Sequence, residues 1–331
     1  VKMGLAHAHS LAMSEKVDAV FYPAIISEKK QPNGLPRIFC PYVISYPSLA
    51  GAALALPAPV LRPPVDFRLD DEIMVNELAQ SFAGFGLARR DIASALRDGR
   101  RRFTHFMRRR YEYGRGILEK IRREGTAGIV FIGRPYNLYD RVINLGLPEH
   151  FRRYGVETFP YECLIDPDDT RSDVFHMYWN YGERILSLAE TIRGLDGVYP
   201  VYFTNFGCGP DSFILSRFEK TMEGKPYLII ELDEHASDTG YLTRIEAFMD
   251  VVLGGKAAAD VPRYAKDNFS KRWSKSAQTL WIPPMHEYSG RLTAAGFRAW
   301  GFHAEALSVE DADAFELGRR GVRGSECLPA S

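Results

Sequence analysis

A cysteine set between two glycines, in Thr204-Asn205-Phe206-Gly207-Cys208-Gly209-Pro210-Asp211-Ser212-Phe213, is the stretch of this chain best equipped for chemistry. The β-rich run Val198 to Phe203 precedes it. Ser212 to Met222, with Phe213, Leu215 and Phe218 apolar, reads as a helix after it. Pro210 suits a first helical turn, where a missing N–H costs nothing. Gly207 and Gly209 let the backbone come close to whatever Cys208 holds. Thiols between a strand end and a helix N-terminus ionise readily, so Cys208 is expected to act as a thiolate ligand or a nucleophile. The competing expectation is a small buried cysteine in a tight turn.

Other groups could join it. Cys40, in Phe39-Cys40-Pro41-Tyr42-Val43-Ile44-Ser45-Tyr46-Pro47, is a second thiol expected at a strand end. Arg134 and Tyr136 follow the strand Gly128 to Gly133 and would lie at the same sheet edge as Cys208. There they could meet an anionic group or the surroundings of a cluster, or form a structural turn with Arg134 in a salt bridge. His176, Tyr178, Trp179 and Tyr181 are expected on an amphipathic helix as packing residues. Glu231, Asp233, Glu234, His235 and Asp238 follow a buried-type strand and are expected to cap the next helix. His7 and His9 form a weak His-x-His pair within an expected helix. No P-loop, dinucleotide-binding glycine fingerprint, zinc-protease helix or nucleophile elbow is present. Widely spaced strand-end cysteines instead suit an iron–sulfur cluster held between lobes.

The elements that must position these groups alternate. Strands are expected at Ala19 to Ile25, Arg37 to Val43, Gly128 to Gly133, Glu157 to Tyr161, Val198 to Phe203 and Pro226 to Leu232. Helices are expected over Asp71 to Glu124, with breaks near Phe85-Gly86 and Gly114, and at Asn144 to Tyr154, Asp173 to Ile192 and Tyr241 to Leu253. This alternation predicts an α/β protein of Rossmann-like lobes, parallel sheets flanked by helices, with a helical connector between the lobes. Ligands of such sheets bind at the carboxyl ends of the strands. The expected organisation is a truncated first lobe at 1–66, a basic helical connector at 67–126, a second lobe at 127–256 and a new module at 275–331. Gly254 to Lys266 reads as a linker. Strands at Thr279 to Pro283 and Ala304 to Leu307, with a helix at Ser289 to Trp300 and another at Phe315 to Arg320, open the last module.

Composition narrows the classes. Of 331 residues 46% are apolar and 25% charged, with 42 Lys and Arg against 42 Asp and Glu, so no net field draws the whole chain to nucleic acid or membrane. Four distant cysteines, Cys40, Cys163, Cys208 and Cys327, form no CxxC pair and no disulfide framework, which points to a reducing cytoplasm. Arg100, Arg101, Arg102, Arg108, Arg109, Arg110, Arg122 and Arg123 make the connector basic. Ile92, Leu96, Phe103, Phe106 and Met107 are expected on its opposite, apolar face. Such a stripe is expected to be a solvated face, with phosphate or an acidic partner domain as the alternative. The absence of an initiator Met and the unfinished look of the end suggest a piece of a longer polypeptide.

Arg134-Pro135-Tyr136 with Asn144-Leu145-Gly146, His176-Met177-Tyr178-Trp179, the Cys208 loop and Glu231-Leu232-Asp233-Glu234-His235 together resemble one family. It is the acyl-CoA dehydratase activase-related proteins, akin to (R)-2-hydroxyacyl-CoA dehydratase subunits and double-cubane-cluster proteins. The resemblance implies an oxygen-sensitive iron–sulfur cluster, 4Fe–4S or double-cubane, with about three cysteine ligands per unit. It also implies ATP-driven electron delivery from an actin-like ATPase module outside this chain, a reduced electron donor and further dehydratase-like modules as partners. On it, Cys40 and Cys208 match ligand positions, Cys163 is a substitute ligand at best, and Cys327 belongs to the first-ligand segment of the next module. A third ligand is expected to have preceded Val1-Lys2. Arg134, Tyr136, Asn205, Gly207, Gly209, Asp211 and Ser212 would surround the cofactor.

Three functions are compatible with these residues. The favoured one is an iron–sulfur redox module passing low-potential electrons to an acyl-CoA-type or other hard-to-reduce substrate. The others are a regulatory or docking domain with structural cysteines, and a cysteine-nucleophile enzyme on a Rossmann-like scaffold.

Overall fold

The computed structural model describes residues 2–14, 16–28, 36–54, 56–168, 177–233, 239–254, 279–283, 286–308 and 313. The chain forms two units: Val1–Phe206 with Ile214–Val261, and Gly207–Phe213 with Pro262–Ser331. His176, Glu234, His235, Asp238, Cys327, the expected linker after Gly254 and the expected helix at Phe315 to Arg320 lie outside the described residues.

The first unit opens with α1 (Lys2–Ala12), β1 (Val20–Phe21), β2 (Ala24–Glu28), β3 (Arg37–Ile38), α2 (Pro41–Ala53), β4 (Val60–Leu61) and β5 (Pro64–Asp66). β1 pairs parallel with β4, and β2 pairs parallel with β5 and antiparallel with β3. Two strand expectations are corrected here. Pro23 has no N–H for a ladder, and the expected strand over Ala19 to Ile25 divides into β1 and β2 on either side of it. Pro41 likewise ends the expected strand at Ile38 and takes the first helical position of α2, for which its ring is pre-set. Cys40 therefore stands between strand and helix.

Asp66 stitches this part together. Its carboxylate accepts from Arg68 Nε (2.9 Å) and Nη2 (2.5 Å), from the Arg68 backbone N–H (3.0 Å) and from Ser27 Oγ (2.5 Å). These bonds to Arg68 first, and to Ser27, hold its pKa down at about 2 against the opposing effect of burial.

After β5 come α3 (Asp71–Ser81) and α4 (Arg89–Glu124). At 1.5 Å per residue, the 36 residues of α4 span roughly 54 Å. The expected break at Gly114 does not occur. One glycine weakens a helix by only about 1 kcal/mol, and packing overrides that here. A Cβ on Gly114 would stand 2.1 Å from the Cys163 carbonyl oxygen, so the glycine is the notch in which the Tyr161–Leu164 turn sits.

The main sheet follows from β6 (Gly128–Gly133), α5 (Pro135–Tyr139), α6 (Leu147–Arg152), β7 (Glu157–Pro160), α7 (Asn180–Arg193), β8 (Val198–Asn205), α8 (Gly209–Thr221), β9 (Leu228–Leu232) and α9 (Thr239–Leu253). Its order is β7-β6-β8-β9, parallel throughout. All six residues of β6 are buried, the continuous apolar run of a strand covered on both faces. Ile129, Val130, Ile132, Tyr202, Phe203, Phe218 and Met249 belong to the one large core beneath these helices. The expected helix from Asn144 begins only at Leu147. Leu145 (φ 55°) and Gly146 (φ 66°) are left-handed, and the Asn144 side chain holds them by accepting from Gly146 N (3.0 Å) and donating to Leu138 O (3.1 Å). The expected helix at Asp173 to Ile192 is corrected at its start: Tyr178 and Trp179 precede α7 and pair with β3 as an added strand edge, Ile38 N donating to Tyr178 O (2.8 Å) and Ile38 bridging Trp179.

The second unit contains β10 (Thr279–Ile282), α10 (Glu287–Ala299) and β11 (His303–Ala306), with the two strands parallel. The α/β class with helix-flanked parallel sheets is thus observed, β3 being the antiparallel exception.

Two outcomes follow from this packing. Gly116, with open space where its Cβ would be, should gain about 0.5–1 kcal/mol on Gly116→Ala, whereas Gly114→Ala should lose roughly 1–3 kcal/mol; urea unfolding of the pair checks the contrast. The depressed pKa of Asp66 contributes stability that is complete above its unfolded value near 4 and lost as pH falls from there to about 2. Asp66→Asn should therefore cost about 2 kcal/mol at pH 7 and flatten the acid limb of stability against pH.

Candidate functional site

The chain leaves β6 for β7 on one side and returns to β8 on the other, so the strand order reverses between β6 and β8. Open α/β sheets bind ligands at the carboxyl ends of the strands at such a point. There the two backbones run close: a Cβ on Gly133 (φ 153°) would stand 2.5 Å from the Phe203 carbonyl oxygen. Arg134 follows immediately in extended conformation and precedes α5, with Pro135 at the helix start. Asn137 on α5 donates from Nδ2 to Phe203 O (3.4 Å), tying the helix to β8, while its Oδ1 is buried without a hydrogen-bond partner.

Arg134 is only 1% exposed, and its guanidinium opposes the rise in the Tyr181 pKa. It belongs to the interior beneath the edge, with Tyr136 partly buried on the first turn of α5. Thr204 is buried and Asn205, the last residue of β8, is half-buried. Asn144, from the same sequence motif, is a turn-holder.

The helix α7 supplies groups that local sequence did not single out. Arg184 pairs with Glu28 of β2 (2.5 Å), and Arg37 of β3 pairs with Glu183 (3.3 Å). Asn180, at the start of α7, is fully buried with both side-chain polar atoms lacking hydrogen-bond partners. Burial pushes the Tyr181 phenol up to about 12 and the Glu162 carboxyl above its ordinary value; Tyr139 donates to that carboxylate at 3.1 Å. No periodicity advertises these pairs, since each joins residues far apart in the chain.

The thiols occupy unlike surroundings. Cys40 is 9% exposed and its carbonyl accepts from Ile44 N (3.2 Å) as α2 begins. Cys163, 3% exposed, lies in the turn held by Gly114, and burial pushes its thiol up to about 11. Cys208 is half-buried and belongs with residues 207–213 to the second unit. Gly207 is left-handed (φ 68°) with open space at its Cβ position, and Gly209 is equally open. Here the glycines serve the turn, and among the described residues no neighbour crowds them. Asp211 and Ser212 lie in the first turn of α8, where Ser212 N donates to Cys208 O (3.0 Å) and Ser212 Oγ to Gly209 O (2.6 Å). Phe213, expected on an apolar face, is 56% exposed. His7 and His9 are both exposed on α1, and two residues apart on a helix they face different directions. Asp233 is exposed and Glu231 half-buried. Among the described residues no three His, Cys, Asp or Glu side chains come together as a metal site.

The fold defines a helix-flanked parallel α/β protein, and residues 1–164 place it more narrowly. They match the model of the family described as the CoA enzyme activase uncharacterised domain (DUF2229). Cys40, Arg134, Tyr136 and Cys163 fall within the matched span, and the Cys208 loop falls beyond it. No curated protein and no solved structure matches the chain. Among the described residues no helix is long and apolar enough to cross a membrane.

The difference in burial predicts a difference in reactivity. Iodoacetamide at pH 8 should modify Cys208 in the native protein and leave Cys163 untouched until denaturant is added. Peptide mass spectrometry along the time course checks this.

Proposed function

We propose that the chain is a redox module of a CoA enzyme activase-type system, in which Cys40 and Cys208 are thiolate ligands of an iron–sulfur cluster. The observation that carries the reading is the family match of residues 1–164 together with two thiols each placed where a helix begins, Cys40 before α2 and Cys208 before α8. Thiolates are the normal ligands of such clusters. Cys163 does not suit the role: its thiol is sealed by burial, and its backbone is locked against Gly114. The described residues thus offer two suitable donors, short of a full ligand set, and the remaining donors must come from elsewhere.

In this reading the cluster supplies low-potential electrons for an acyl-CoA-type or other hard-to-reduce substrate, driven by an ATPase module outside the chain. The chain's own contribution is positional. The turn at Gly207–Ser212 presents Cys208, and Pro41 fixes the start of α2 beside Cys40. The low exposure of Cys40 favours a second reading, a docking or regulatory domain whose thiols only pack.

Anaerobic purification followed by iron and acid-labile sulfide analysis separates the two. Several irons per chain are expected, lost in Cys40→Ser and in Cys208→Ser but retained in Cys163→Ser. Iron-free, folded protein, or iron indifferent to Cys40 and Cys208, would overturn the cluster reading in favour of the docking domain.

A further inference from the structure

The helix α4 carries more than a solvated basic face. Its beginning rests on α3 and its end on the Tyr161–Leu164 turn and β7, but residues 101–106 between these supports are exposed on every side. Phe103 and Phe106, expected in the apolar face, are instead 58% and 54% exposed, because among the described residues nothing covers the middle of so long a helix. Arg102, Phe106, Arg109 and Tyr113 follow one another at spacings of four, three and four. At about 100° per residue that aligns them in a single ridge along one side of the helix. Tyr113 is 63% exposed, and Arg110 stacks its guanidinium over the Phe106 ring at 5.4 Å, which holds the ring in place.

Charge selects the occupant. Within α4 thirteen Lys or Arg stand against five Asp or Glu, in a chain whose totals are 42 and 42. Neighbouring arginines off the ridge are paired: Arg100 with Asp71, Arg101 with Asp98, Arg108 with Asp168 and Arg115 with Glu119. Arg102 and Arg109, both exposed, make no ion pair among the described residues. Arginine interleaved with exposed aromatic rings is the composition of a protein–protein hot spot. A convex ridge cannot enclose a small anion, so its partner must be extended. The balanced charge of the whole chain disfavours nucleic acid.

We propose that this ridge is a docking surface for an acidic amphipathic helix of a partner protein. Apolar residues of that helix would pack on Phe106 and Tyr113, and its carboxylates would pair with Arg102 and Arg109. The surface is independent of the cluster reading, since it involves no cysteine.

The test uses the full chain and a fluorescein-labelled, staple-stabilised helical peptide with Leu along one side and Glu flanking it, read by anisotropy. Binding is expected to weaken about tenfold or more in Phe106→Ala/Tyr113→Ala and in Arg102→Glu/Arg109→Glu, with thermal midpoints unchanged because all four side chains are exposed. Arg90→Glu/Arg123→Glu makes the same charge change off the ridge and should leave binding near that of the parent chain. The proposal is overturned if that control loses as much affinity, or if a peptide with Gln in place of Glu binds equally well. Tighter binding of a 20-base-pair duplex, or self-association of the chain that the ridge substitutions abolish, would assign the surface to nucleic acid or to a second copy instead.

Discussion

Two crossed ion pairs on one helix set the geometry on which most of the first unit depends. Glu183 and Arg184 are neighbours on α7, and they reach Arg37 and Glu28, on β3 and β2 of the small sheet. The same segment adds a backbone bridge between Trp179 and Ile38. Meanwhile Ile185, Leu186, Ala189 and Ile192 of α7 are buried in the core of the four-stranded sheet. One helix thus belongs to two sheets. Removing one charge would leave its largely buried partner uncompensated, a cost of roughly 3 kcal/mol. Replacing a whole pair by apolar residues would cost much less, so what the pairs chiefly secure is register between the sheets.

That register places one of the cysteines. Cys40 follows β3, whose position is set by Arg37 and Ile38, so its thiol is carried to its place by α7. Cys163 is fixed by a different contact, the close approach of α4 at Gly114, and ends with its thiol hard to ionise. Cys208 lies in a loop whose glycines face open space. Three residues of one type therefore stand in unlike surroundings, Cys40 and Cys163 buried and Cys208 half-buried.

The long helix obeys a related constraint. A helix of 36 residues that is supported near both ends cannot be covered along its whole length by a domain of this size. Its middle, uncovered among the described residues, displays Phe103 and Phe106. Periodicity assigns these rings to an apolar face; it cannot say whether any neighbour is there to meet them. The same limit explains Phe213, apolar in pattern and exposed in fact.

The α/β class, the strands at Gly128–Gly133 and Val198–Phe203 (the latter running on to Asn205) and the strand–turn–helix around Cys208 were legible in the chain, because apolar runs bounded by glycine and proline are local signals. The thiols themselves were legible too, since residue type is read directly from the chain. Boundaries were missed at Pro41, which starts a helix where a strand was expected to continue, and at the left-handed Leu145-Gly146, which delay a helix expected from Asn144. Tertiary structure alone decided that Tyr178 and Trp179 pair with β3, that Arg134 lies inside the fold, and that α4 runs unbroken through Gly114. These outcomes rest on contacts between segments tens to more than a hundred residues apart. Local propensity carries no record of such neighbours, and burial, ion pairing and close backbone approach exist only once those neighbours have met.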